Sequence, residues 1–182
     1  MTTPAAYLAK TTEELAAFGS AARGRDSGQI ILVPVDFSAH SAAALEHAAK
    51  LAKLIPAAMV ALHVVHDPGD MPGYYSKLVE DQHFERIQDA AASAFHQFIQ
   101  NVTAESPDGA MLANIEPVMV IGLPVSRILE VVQELNPIMV VMGSQGRTGL
   151  KHLVLGSKAA QVIQLCPVPV TIVKDRKEIA DD

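Results

Sequence analysis

The feature that most constrains this chain is an alternation. Five short runs rich in β-branched and aliphatic residues, at 29–36, 57–66, 113–122, 137–143 and 168–174, are separated by segments of helical periodicity. The runs are close to continuously apolar, which is how strands read when both faces of a sheet are covered. Between them, apolar positions recur every three or four residues: Leu45, Ala48, Ala49, Ala52 and Ile55 in one segment, Val125, Ile128, Leu129, Val132 and Leu135 in another. Strand-helix-strand order of this kind predicts an α/β fold, a parallel sheet doubly wound with helices on both faces.

The remaining elements fill in around that frame. A long helix before 102 carries Phe84, Ile87, Ala91, Phe95 and Phe98 on one stripe, and "SPDG" at 106–109 breaks it. A short helix over 157–165 turns Ala159, Val162 and Ile163 inward. Pro124 suits the first helical position, and Ser38 or Ser41 stands where the first helix of the domain needs its cap. Pro117 brings no donor to a ladder, so it predicts an edge position or a bulge for the third strand. Residues 1–28 read as an N-terminal appendage, either mobile or a short helix with Thr11 and Glu14 spaced as a capping box. Residues 29–174 form the main domain and 175–182 a C-terminal tail.

Composition narrows the function. The chain has 182 residues, 49% of them apolar but only 4% aromatic, so small aliphatic side chains build the core. A net charge of -6 opposes nonspecific binding to nucleic acid. The single cysteine, Cys166, excludes an intramolecular disulfide. No run reaches the ~18 apolar residues of a membrane-spanning helix. The opening residues lack the basic region and apolar stretch of a secretory signal. The expected location is cytoplasmic. The histidines show no metal-ligand spacing, and no G-x-S-x-G nucleophile elbow occurs.

The stretch that carries chemistry is "MGSQGRTGLKHLVLGS", 142–157, which leaves the carboxyl end of the fourth strand. In open α/β sheets, ligands bind beyond the carboxyl ends of strands, where strand order reverses. Glycine lets backbone amides approach an anion and take positive φ. Gly156 and Ser157 open a helix whose first amides and dipole favour phosphate. Arg147, Lys151 and His152 add basic groups. The spacing is neither a Walker loop nor a dinucleotide fingerprint. On spacing alone, the loop reads either as a phosphate cradle or as a surface loop with a glycine cap. Asp36, ending the first strand, likewise reads either as a ligand contact or as a helix cap.

Gly143, Gly146, Gly156 and Ser157 spell G-x2-G-x9-G-S. With "ILVPVDFS" at the first strand, "LHVV" at the second, "GLP…ILE" from 122 and "CPVPVTIV" near the end, the chain resembles the ATP-binding branch of the universal stress protein family over 29–174. The resemblance implies a Rossmann-like, five-stranded sheet of order 3-2-1-4-5 and a homodimer paired through 168–173. It implies ATP as ligand, with Mg2+ carried by the phosphates, and AMP, ADP or cyclic AMP as alternatives. Asp36 would hold the nucleoside end, with Pro34 and Val35 beside it. Val65 would contact adenine through backbone groups, and Met142 would pack near the ribose and base. Gly143, Gly146, Gly156 and Ser157 would hold ribose and phosphates, with Arg147 and Lys158 flanking them. Gln145 stands where many members carry His. Met71, Tyr74 and Tyr75 are read either as a lid, as a contact with another protomer or as ordinary loop packing.

The implied function is a nucleotide-dependent regulatory or stress-response dimer with a regulated protein partner. It would hydrolyse ATP slowly at most, since no general base or arginine finger is evident. Two other readings stay open. One is a partner-binding dimer that takes no nucleotide. The other is an adenine-nucleotide-using enzyme of the same superfamily, against which stands the absence of H-x-G-H and S-G-G-x-D-S motifs.

Overall fold

All five apolar runs become strands of one parallel sheet: β2 (Ile30–Pro34), β3 (Ala58–Val65), β4 (Glu116–Ile121), β5 (Met139–Gly143) and β6 (Val170–Val173). A sixth strand, β1 (Tyr7–Leu8), precedes them. The computed structural model describes residues 6–23, 28–66, 81–146 and 155–175. Spatial order is β1-β4-β3-β2-β5-β6, and every neighbouring pair is parallel. The expected 3-2-1-4-5 order is preserved as β4-β3-β2-β5-β6, and among the described residues β1 extends the five expected strands to six. Two residues of extended chain are too short to show a period, so β1 left no sequence signal.

The strand count changes the reading of Pro117. β4 is not an edge, because β1 pairs with it at Val118 and Met119. The Met119 carbonyl accepts from the Ala9 amide at 2.9 Å. Odd-numbered residues of β4 therefore direct their backbone groups to the β1 side, since polar groups alternate along a strand. Pro117 lies on that side, one residue short of the β1 pairing, where its missing N–H breaks no bond of the β3–β4 ladder.

Period two divides the core. Ile31, Val33, Met59, Ala61 and Val141 face one layer. Ile30, Leu32, Val60, Leu62, Val140 and Met142 face the other. The first layer holds α2 (Ala39–Leu54), α3 (Asp81–Glu105) and the short α4 (Gly109–Leu112). The second holds α1 (Thr12–Arg23), α5 (Pro124–Leu135) and α6 (Ser157–Leu165). Ala44, Leu45, Ala48 and Ala49 of α2 are fully buried. Small side chains let this helix sit close on the sheet. Ile163 departs from expectation: it is 43% exposed, and the buried stripe of α6 is Ala159 and Val162.

α1 begins at a reciprocal capping box. The Glu14 amide donates to Thr11 Oγ1 at 3.2 Å, and Glu14 Oε2 accepts from the Thr11 amide at 3.1 Å. The helix packs on α5 rather than standing apart. Gly19 lies so close that a Cβ there would be 2.4 Å from Leu135 Cδ2. Arg23 Nη1 donates to the Leu135 carbonyl at 2.7 Å, satisfying an acceptor at the end of α5.

Candidate functional site

The crossover through α5 carries the chain from β4 past β3 and β2 to β5, which places the switch point of the sheet at the carboxyl ends of β2 and β5. A cleft of about 730 Å³ opens there. Pro34, Val35 and Asp36 come from the end of β2, and Met142, Gly143, Ser144, Gln145 and Gly146 from β5 and its exit. Gly156, Ser157, Lys158 and Ala159 come from the first turn of α6. One wall is apolar: Leu62 and Val64 of β3, with Pro124 and Ile128, one turn apart on α5.

Ten of the eleven expected site residues are described, and nine line this cleft: Pro34, Val35, Asp36, Met142, Gly143, Gly146, Gly156, Ser157 and Lys158. Val65 does not. It is 3% exposed, its side chain is in the α2 and α3 core layer, and its carbonyl accepts from the Gly122 amide at 2.9 Å. It borders instead a second depression with Phe37, Ile87 and Ala91. Its neighbours Val64 and His66 take the cleft positions. The side chains that line the cleft are thus one residue to either side of Val65, on the other phase of the strand. Arg147 lies outside the described residues, as do Lys151, His152, Met71, Tyr74 and Tyr75.

Ser38, not Asp36, caps α2: its side chain accepts from the Ser41 amide at 3.2 Å. Asp36 is the brace behind that cap. Its Oδ1 accepts from the Ser38 hydroxyl at 2.6 Å and from the Ser38 amide at 3.2 Å. Its Oδ2 faces the glycine loop, 2.5 Å from where a Cβ of residue 146 would lie. Between Asp36 and Ser38, Phe37 holds φ 66, a left-handed conformation rare for an aromatic residue. The Phe37 ring stacks on His63 with centroids 4.3 Å apart, and His63 Nδ1 donates to the Val35 carbonyl at 2.8 Å. This aromatic contact and hydrogen bond fix the turn that aims Asp36 into the cleft.

The glycines serve close approach rather than positive φ. Among the described residues, only Gly28 and Gly122 are glycines with positive φ. At Gly143 a Cβ would meet His40 Cβ at 2.7 Å and the His40 carbonyl carbon at 2.8 Å. At Gly156 it would lie 3.3 Å from the Ser144 carbonyl oxygen. Gly156 also spends its amide on that oxygen, at 2.7 Å. The next amides, of Ser157, Lys158 and Ala159, make no intrahelical bond, and no side chain caps them. Helix amides left open in this way are the kind of groups that can receive an anion.

Sequence reasoning missed Ser41, Ser144, His63, His66, Pro124 and Ile128 as cleft residues. Ser144 was legible as an internal position of the glycine motif. Pro124 and Ile128 were read only as a helix start and a core stripe. Their place follows from topology: the helix after a parallel strand starts at the carboxyl edge of the sheet. Among the described residues, no group of three or more His, Cys, Asp or Glu comes together in a way that could hold a metal ion, and no helix is long and apolar enough to cross a membrane.

The fold and cleft define a doubly wound α/β protein with an open cleft at its topological switch point. A family model, the universal stress protein family, matches residues 28–174, and the chain belongs to that family. It is 30% identical over 148 residues to universal stress protein MJ0531 of Methanocaldococcus jannaschii, covering 81% of this chain and 83% of that one. Universal stress protein UspA from Lactobacillus plantarum superposes with a TM-score of 0.63 at 26% identity, over 80% of this chain and 97% of that one. A universal stress protein solved in complex with cAMP shares the fold, with a TM-score of 0.55 at 21% identity, over 81% of this chain and 97% of that one.

Proposed function

We propose that this chain binds an adenine nucleotide in the cleft and acts as a nucleotide-dependent regulatory dimer in the cytoplasm, with a protein partner reading its state. The observation that carries the reading is the pairing of opposite chemistries across one cleft. An apolar wall of Leu62, Val64, Pro124 and Ile128 suits a base. The uncapped first turn of α6 suits phosphates, with exposed Lys158 at its rim. Asp36 stands between, its turn braced to accept from ribose hydroxyls. ATP with Mg2+ is the first candidate; ADP, AMP and cyclic AMP share the adenosine end. Any hydrolysis of ATP is proposed to be slow.

The test is nucleotide analysis of denatured purified protein, followed by calorimetric titration with ATP and cyclic AMP, each with Mg2+. Binding at micromolar to millimolar concentration with one site per chain is expected. No co-purified nucleotide and no heat at millimolar ligand would favour the partner-binding dimer without nucleotide.

The dimer is proposed through β6. Among the described residues this strand ends the sheet, all four of its residues are half-buried, and Leu165, at the end of the helix before it, is 57% exposed. An edge with free backbone groups pairs readily with a second copy, here antiparallel about a two-fold axis near 168–173. Light scattering after size exclusion should give twice the chain mass at micromolar concentration, and a monomer there would refute the pairing.

A further inference from the structure

Ser144 is 1% exposed, and its polar groups reach three different elements. Its amide donates to the Val173 carbonyl at the end of β6, at 2.8 Å, and its carbonyl accepts from Gly156 at the head of α6, at 2.7 Å. Its hydroxyl lies 3.3 Å from His40 Nδ1, in the first turn of α2. The same nitrogen accepts from the Asp175 amide at 3.1 Å, just past β6. A nitrogen that accepts carries no proton, so the His40 imidazole holds its proton on Nε2.

The geometry points to Ser144 and His40 as the link by which occupancy of the cleft is passed to the carboxyl end of β6. The inference rests on the nucleotide-binding reading above. A ligand gripped by the first amides of α6 bears on Gly156, and Gly156 is bonded to Ser144. Ser144 cannot shift without disturbing its bonds to Val173 and His40, because an unpaired buried polar group is costly. His40 has no slack toward β5, since its own backbone closes on Gly143. His40 therefore couples the glycine loop to the backbone of 173–175, beside the strand proposed to pair between protomers.

The experiment is amide hydrogen exchange at 170–175 in the full chain, with and without saturating Mg2+ and ATP, with binding followed by calorimetry. ATP should slow exchange at Asp175 at least about fivefold in the wild type, the lower end of ordinary coupling factors. In His40→Leu, ATP should still bind while the slowing falls below about twofold. His40→Asn offers an oxygen near the place of Nδ1 and should restore it. Should the leucine variant not fold, Ser144→Ala keeps both backbone bonds, removes the hydroxyl and should weaken the response. Undiminished slowing in the variants, or none in a wild type that binds ATP, would overturn the link. A wild type that binds no ATP would instead refute the nucleotide reading itself, and the inference with it.

Discussion

Replacing Gly143 by Ala should lower the melting temperature by roughly 5–10 °C, even with no ligand present. The added Cβ would lie 2.7 Å from His40 Cβ and 2.8 Å from its carbonyl carbon. The second of these is helix backbone, in the first turn of α2, which cannot rotate away. Overpacking of this kind costs about 2–3 kcal/mol, which gives the stated shift for a chain of this size. Gly146→Ala makes the contrast. Among the described residues, its new atom would meet the Asp36 carboxylate, with Oδ2 at 2.5 Å, the end of a side chain and not backbone. That variant should melt within about 2 °C of the wild type, on the scale of a contact that relaxes, while displacing Asp36 from its place in the cleft. Differential scanning calorimetry of both variants decides the matter. Equal melting temperatures would mean that the first glycine of the motif is kept for a ligand and not for packing.

Ser157→Glu should move stability and binding in opposite directions. The first turn of α6 carries no acidic residue and no side-chain cap. A carboxylate there meets the positive end of the helix dipole and stabilises by about 0.3–1 kcal/mol, or roughly 1–3 °C. The same charge repels a phosphate bound at those amides by about 2–3 kcal/mol at an intermediate dielectric. Affinity for ATP should therefore fall on the order of 30- to 150-fold. Ser157→Ala, which removes one hydroxyl and adds no charge, should lose much less. Calorimetric titration beside thermal unfolding reads both quantities. Unchanged affinity in the glutamate variant would place the phosphates elsewhere.

Much of the site was legible because strand ends and glycines are legible. Asp36 and the 143–157 loop are far apart in sequence, yet a parallel doubly wound sheet must bring the ends of β2 and β5 together. Phase was harder to read. Val65 and its neighbours differ only by which face of β3 each takes, and an apolar run covered on both sides carries no alternation to mark it. The reason for each glycine was hidden too. The motif suggested positive φ and room for an anion, whereas Gly143 answers to the backbone of α2, which no local pattern reveals. Ile163 was misplaced because α6 has only two buried positions, too few to define a stripe. His40 carries no motif, Ser144 is an unmarked position inside the glycine motif, and their meeting depends on three elements converging.

The two-residue strand Tyr7–Leu8 has a consequence for how far assembly can go. A sheet grows by adding strands at either flank, and a flank of two residues offers too little ladder to recruit another chain. With β1 laid along β4, one flank is terminated from within the same molecule. Pairing through β6 would then use up the other. An assembly built that way would stop at two copies, a closed particle in place of a growing fibre.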